Sequence, residues 1–222
     1  KYVAQTKLPL VISAGIGCDL VTIAKIIEWV LESNPDPDVT FLHCNNAYPT
    51  PLKDICLEQI TKIKNMEYKI PIKVGLSDHT ECILAPSLAV ALGVSTIEKH
   101  FTISRKLSGP DHPFAIEPNE LRQMVKNIRN AEICMSGEHA GVTESEKKFI
   151  FARRSVVTKT EILKGEQLSE KNLTTKRPSV SGSIPASEYF NILSETCYIA
   201  KRSMDADEIL RWDDVGIRVM SK

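Results

Sequence analysis

Several absences bound this 222-residue sequence before any motif is read. It has no excess of either charge. The 28 basic and 28 acidic residues cancel formally, so no long-range basic field gathers nucleic acid or an anionic membrane, although a local basic pocket is compatible with that balance. No apolar run approaches the roughly 18 residues needed to cross a bilayer. The six cysteines (Cys18, Cys44, Cys56, Cys82, Cys134 and Cys197) include no CxxC pair and are spread through the chain. A disulfide framework is therefore the weaker reading, and reduced thiols of a cytoplasmic protein are expected. Cys44, which follows a histidine, invites a check for chemistry, but its plain reading is a small buried hydrophobe. An initiating methionine and a secretory signal are also missing, since the first residue is Lys1. The chain is expected to begin partway through a longer protein. What is present is ordinary: 42% hydrophobic and 25% charged residues exclude global disorder. At roughly 100–200 residues per domain, the length suggests a domain and a half.

Residues 1–140 alternate in texture. LPLVIS (8–13), VTFLH (39–43), IKVGL (72–76) and residues 96–101 read as strands. Asp19 can cap a first helix whose Leu20, Ala24, Ile27 and Leu31 share one face. Further helices are predicted over 57–65, 85–92 and 118–135, the last with Gly137 at its C-terminal cap. Four βα units in succession predict a parallel sheet in the α/β class. Ser13, His43, Ser77, His79 and His100 all fall at or just past strand C-termini, the edge where parallel α/β proteins bind ligands. Three histidines on successive strands point to a single functional locus.

From about residue 155 strands become short and helices nearly vanish. A degenerate repeat runs with an offset of 42 residues (Val157 against Ile199), matching Ile162 with Met204, Gly165-Glu166 with Asp207-Glu208, Leu168 with Leu210 and Leu173 with Val215. Two such hooks packed about a pseudo-dyad would make a compact β domain over 155–222. Residues 141–154 read as a linker.

His79 and His100 end adjacent βα strands and are the best metal-ligand candidates, because neutral imidazoles suit Mn²⁺, Fe²⁺ or Zn²⁺ and leave positions open for water and substrate oxygens. One of them acting only as a hydrogen-bonding group is the alternative. Ser13, Asn46 and Ser77 supply small donors of the kind that phosphate or carboxylate recognition needs. Tyr48, on a loop stiffened by Pro49 and Pro51, offers a flat ring for a sugar or acetyl group. Among the acids, Glu98 and Lys99 must point to opposite sides of their strand. Asp111 lies on a Gly-Pro-stiffened loop where it can bind hydroxyls. Asp78, Glu98 or Asp111 can instead orient an imidazole. Arg153, Arg154 and Arg177 are surface residues or closers over an anionic or amide-bearing ligand.

HCNNAYPTP (43–51), GLSDHT (75–80), IEKHF (97–101), GPDH with IEPNEL (109–121) and KGEQLSEKNLTTKRP (164–178) together resemble the sialic acid synthase family, which makes N-acetylneuraminate, legionaminate or pseudaminate. The resemblance covers nearly the whole chain. It implies the C-terminal half of a (βα)8 TIM barrel followed by a small antifreeze-like (SAF, β-clip) domain. It also implies condensation of phosphoenolpyruvate with an N-acetylated aldose, assisted by Mn²⁺ or Mg²⁺. By similarity, His79 and His100 hold the metal, and Ser13, Asn46 and Ser77 contact phosphoenolpyruvate. Tyr48 and Asp111 contact the sugar, as does Phe151 on a less secure alignment. Glu98 serves proton transfer or orientation. Arg177 reaches the N-acetyl group in the partner's site of a domain-swapped homodimer. Two departures stand out. Ser13-Ala14-Gly15 replaces the usual Ser-Thr-Gly, losing one hydroxyl, and the stretch after Lys176-Arg177-Pro178 is altered. Only four of eight barrel strands are counted, so the chain is expected to be an incomplete part of the enzyme and inactive alone. The competing readings are a non-catalytic ligand-binding or assembly module and a metal-dependent aldolase.

Overall fold

The structure, a computed structural model, describes residues 1–137, 141–194 and 198–217. Cys197 lies outside the described residues. The chain divides into two compact units, Lys1–Gly137 and Glu138–Lys222.

The first unit runs β1 (Leu10–Ala14), α1 (Leu20–Leu31), β2 (Val39–Cys44), α2 (Glu58–Asn65), β3 (Lys73–Asp78), α3 (Ala85–Ala91), β4 (Thr96–Lys99) and α4 (Pro118–Met135). The four strands pair in chain order, all parallel, as successive βα units require. Helix α1 starts where the Asp19 carboxylate accepts the Thr22 N–H at 2.8 Å. Helix α4 starts on a Glu117/Glu120 capping box with a proline in its first turn. One face of the sheet is covered by helices. Val39, Phe41, Val74 and Leu76 pack there with Ile23, Ile27, Ile60, Ile63 and Ala89. The alternate residues face the other way. β1 and β4 are the edges of this sheet, and Val11, on the uncovered face, is 58% exposed. β4 is shorter than the apolar pattern predicts. It ends at Lys99, and beyond it the chain turns to a single bridge between Phe101 and Ile116.

The second unit holds β5 (Ser155–Thr158) antiparallel to β6 (Leu173–Lys176), and β7 (Tyr198–Ala200) antiparallel to β8 (Val215–Ile217). The 42-residue repeat is physical. Under exchange of the two copies, the bridge Val157–Ile209 becomes Gln167–Ile199, and both are present. Ile162 and Met204, equivalent to each other, exchange both backbone hydrogen bonds at 2.9 Å. The Thr158 N–H reaches the Glu208 carbonyl as the Ala200 N–H reaches that of Glu166. Lys159 and Lys201 likewise donate to the carbonyls of Asn172 and Asp214. Even a capping side chain recurs: Asn172 accepts from the Ser169 N–H, and Asp214 from the Arg211 N–H. The core lies between the hooks, with Ile162, Leu168 and Leu173 beside Met204, Leu210 and Val215. Among the described residues, no helix is long and apolar enough to cross a membrane.

The turn that closes each hook needs a left-handed residue. Gly165 supplies it in one copy (φ +86°) and Asp207 in the other (φ +65°). A Cβ at Gly165 would meet nothing within 4 Å, so only backbone strain opposes substitution. Gly165→Asp and Gly165→Val are therefore both strained, but Gly165→Asp is expected to cost clearly less than Gly165→Val, which should cost about 1–2 kcal/mol. Hydrogen-exchange protection of the Met204 amide, compared between the two variants, reads the difference. Arg202 bonds Glu208 (2.6 Å) and Asp214 (2.7 Å), and the hydrogen bond from Arg202 holds the Glu208 carboxyl below its usual pKa. A lowered folded-state pKa contributes stability that is fully present above about pH 4.3, the ordinary glutamate value, and is lost as pH falls through the folded value. Thermal melts from pH 6 to pH 3 should show a shallower acid slope in Glu208→Gln than in the parent.

Candidate active site

The strand register fixes the site. In β3 and β4, Ser77 lies opposite Glu98 and Asp78 opposite Lys99. Alternation then sends Ser77 and Glu98 to the uncovered face, and the Ser77 hydroxyl donates to Glu98 Oε1 at 2.7 Å. Asp78 and Lys99 go to the helix side, where they form an ion pair of 2.8 Å. Glu98 and Lys99 thus oppose each other as the sequence requires, and Glu98 is the one on the open side. Asp78 is occupied by Lys99 and orients no imidazole.

His79 and His100, one residue further along each strand, come together with ring centroids 5.2 Å apart. The Tyr48 ring lies 4.2 Å from that of His79 and 5.8 Å from that of His100. Phe114, 6% exposed, backs the group at 5.0 Å from His100. Phe114 escapes a sequence reading because it lies in an aperiodic loop; its only signal is its place three residues after Asp111. Both histidines are pinned through their backbones, since the His79 carbonyl accepts from Thr50 N–H and that of His100 from Ile116 N–H, each at 2.9 Å.

The histidine pair fits a divalent cation. His79 Nδ1 lies 2.7 Å from the Asn45 carbonyl, which has no proton to give. The ring therefore carries its proton on Nδ1 and presents a lone pair at Nε2. His100 Nδ1 lies 3.8 Å from the Asp111 carboxylate, near it but beyond direct hydrogen-bond reach. Among the described residues, neither Nε2 makes a hydrogen bond. Metal–nitrogen bonds of about 2 Å from two imidazoles place their centroids roughly 5 Å apart, close to the observed spacing. No group of three or more His, Cys, Asp or Glu surrounds a common point among the described residues, so water and substrate oxygens would complete the shell. Cys44 Sγ is 4.0 Å from His79 Nδ1. It is buried, and burial pushes its thiol up, so it stays protonated and acts as the small hydrophobe first supposed.

His43 does not join this group. Its parity in β2 puts it on the helix side, where Nε2 contacts the Ile55 carbonyl at 2.6 Å. The expectation of three histidines at one locus is corrected to two. Asn46 Oδ1 accepts the Ile16 N–H at 2.9 Å and fills the space a Cβ on Gly15 would take, 2.0 Å away; a side chain at Gly15 would displace the Asn46 amide from this contact. The Asn46 amide nitrogen remains near Tyr48 Oη at 3.4 Å. Ser13, opposite Leu42 in the register, is exposed on the open face. Arg177 is an exposed residue of the second unit, immediately after β6, and the Phe151 carbonyl accepts from Ser179 N–H two residues beyond Arg177.

Comparison with known proteins divides the chain in the same two parts. The NeuB family profile matches residues 1–140 and the SAF domain profile matches 153–216. An uncharacterized protein of Methanocaldococcus jannaschii is 40% identical over 96% of this chain and 60% of its own length. An N,N'-diacetyllegionaminic acid synthase of Campylobacter jejuni is 35% identical over 95% of this chain and 61% of its own. A solved Chromobacterium violaceum structure, described as spore coat polysaccharide biosynthesis protein E, superposes with a TM-score of 0.66 at 27% identity, over 96% of this chain and 62% of its own. Pseudaminic acid and N-acetylneuraminate-9-phosphate synthases also match over most of the chain. The chain spans about 60% of the length of the first of these relatives. With its parallel βα units followed by a SAF domain, the chain belongs to the NeuB family.

Proposed function

We propose that the protein is a cytoplasmic transferase that condenses phosphoenolpyruvate with an N-acetylated aldose, such as N-acetylmannosamine, to a nine-carbon sialic-acid-type sugar with release of phosphate. The observation that carries this reading is the His79–His100 pair, with ring centroids 5.2 Å apart, His79 tied at Nδ1 and both rings clear at Nε2, two residues along the strands from the hydrogen-bonded Ser77 and Glu98.

In this reading His79 and His100 hold Mn²⁺ or Mg²⁺, which when bound polarises the aldehyde oxygen of the open-chain sugar. Ser13 and Asn46 donate to the anionic groups of phosphoenolpyruvate, and Ser77, whose one hydroxyl proton goes to Glu98 in this structure, contacts them by turning that proton from Glu98 to the ligand. Tyr48 packs on the sugar, and Asp111 accepts from its hydroxyls. The methylene carbon of phosphoenolpyruvate forms the new bond to the aldehyde carbon, whose oxygen gains a proton. Water adds at the carbon that bore the phosphate and gives up one proton; the C–O bond to phosphate then breaks as that carbon becomes a ketone, and the remaining water proton leaves with the phosphate. Glu98 is the carboxylate on the open face, hydrogen-bonded to Ser77, and suits the transfer or holding of that proton. Arg177 of the second unit would reach the acetamido group in a partner's site within a swapped homodimer.

Phosphate release by the intact protein carrying this sequence, assayed with phosphoenolpyruvate, Mn²⁺ and a panel of N-acetylated aldoses, tests the reaction. The His79→Ala/His100→Ala double variant is expected to lose at least about 100-fold of kcat/KM. Full activity in that variant, or no phosphate release with any aldose, would sink the proposal. Consumption of pyruvate without phosphate release would instead indicate an aldolase. Glu98→Gln should lower kcat by about 100-fold or more while KM moves only a few-fold; an unchanged kcat would remove Glu98 from the chemistry.

A further inference from the structure

We propose that the buried Lys99–Asp78 ion pair is a positioning device for the histidine pair. It clamps the residues on both sides of His79, Asp78 by its side chain and Thr80 by its backbone, to the residue that precedes His100. This rests on reading His79 and His100 as cation ligands.

Lys99 is the least expected residue of the sheet. Every other described lysine is exposed, yet its side chain is 4% exposed and that of its partner Asp78 0%. The geometry is directional. Lys99 Nζ donates to Asp78 Oδ2 at 2.8 Å and to the Thr80 carbonyl at 2.6 Å. The other carboxylate oxygen of Asp78, Oδ1, accepts the Thr80 N–H at 2.9 Å. Residues 78 and 80 are thereby fixed to each other and to the end of β4, with His79 held between them. His100 is one peptide bond from the lysine. The pair lies on the helix side, across the strands from Ser77 and Glu98, so it meets no substrate; it can act only through the two ligating residues. Hydrophobic residues of similar size would serve stability as well as a buried ion pair. They would not tie residue 78, residue 80 and β4 together. A two-ligand site has little redundancy, and a displacement of about 1 Å in one imidazole is enough to spoil it.

Mn²⁺ binding to the intact protein, without substrate, can be followed by the electron paramagnetic resonance signal of free Mn²⁺ alongside thermal melting. The charge-free double variant Asp78→Leu/Lys99→Met is expected to melt within a few degrees of the parent while its apparent Kd for Mn²⁺ rises about 10–100-fold. A merely structural role would move the melting temperature and leave the Kd of folded protein alone. A folded double variant with a Kd within twofold of the parent overturns the proposal. If the double variant does not fold, Asp78→Asn, which retains an acceptor for Thr80 N–H, decides: a Kd raised several-fold supports the clamp, and an unchanged one overturns it. The His79→Ala/His100→Ala protein separates this question from the one it rests on. Parent and histidine variant that bind Mn²⁺ equally, or parent protein that binds none, overturn the metal reading and the clamp with it. Loss of binding in the histidine variant alone overturns only the clamp.

Discussion

The register between β3 and β4 is the constraint on which the site depends. With Ser77 opposite Glu98 and Asp78 opposite Lys99, the two-residue period of a strand assigns every neighbouring side chain. One pair of residues makes a hydrogen bond on the open face, the next makes an ion pair on the helix face, and the third returns two imidazoles to the open face. A slip of one residue would send Glu98 to the apolar helix layer and His100 out of reach of His79. The helix-side packing of Val74 and Leu76 against the helices, with Ile97 against the same core, specifies that register hydrophobically. The chemistry at the strand ends is thus positioned by aliphatic residues several ångströms below it.

Much of this was legible in the sequence, and the failures have identifiable causes. The βα succession, the strand-end location of polar residues and the 42-residue repeat all follow from periodicity and spacing. His43 was misplaced because β2 is buried on both faces. VTFLHC carries no polar–apolar alternation from which its phase could be read, so the side to which its histidine points is a tertiary fact. The opposition of Glu98 and Lys99 was legible, but not which of them faced the helices, because β4 is short and ends in alternating charge. Phe114 had no periodic context at all. The loop residues Asn46 and Tyr48 were singled out from resemblance, and the contact of Asn46 with the backbone of Ile16, beside the missing Cβ of Gly15, emerges only from the structure.

The second unit shows the opposite balance. Its two copies share few identical residues, yet the backbone hydrogen bonds that join the two hooks recur in pairs across the pseudo-dyad. A backbone amide or carbonyl is indifferent to its side chain, so the repeat survives wherever three things are retained: an apolar residue at each core position, a left-handed residue at each turn and an acceptor at each cap. Gly165 and Asp207, and Asn172 and Asp214, are different answers to the same two requirements. This is why a weak sequence repeat carried a strong structural one.

The ion pair beneath the histidines can be weighed in the same terms. Burying a lysine and an aspartate costs several kcal/mol per ion before any attraction is gained, and removing one partner leaves the other uncompensated at about 3–5 kcal/mol. Such a pair is a poor device for stability alone. Its directional hydrogen bonds do what dispersion cannot: they fix residue 78, residue 80 and β4 at one point, while the aliphatic layer beneath them sets only the register. Packing brings the strands together to within the tolerance of a hydrophobic core, and the charge pair narrows that tolerance at the place where two imidazoles must converge. That division of labour accounts for the siting of Lys99, whose side chain is buried while every other described lysine is exposed, next to one of the candidate ligating histidines.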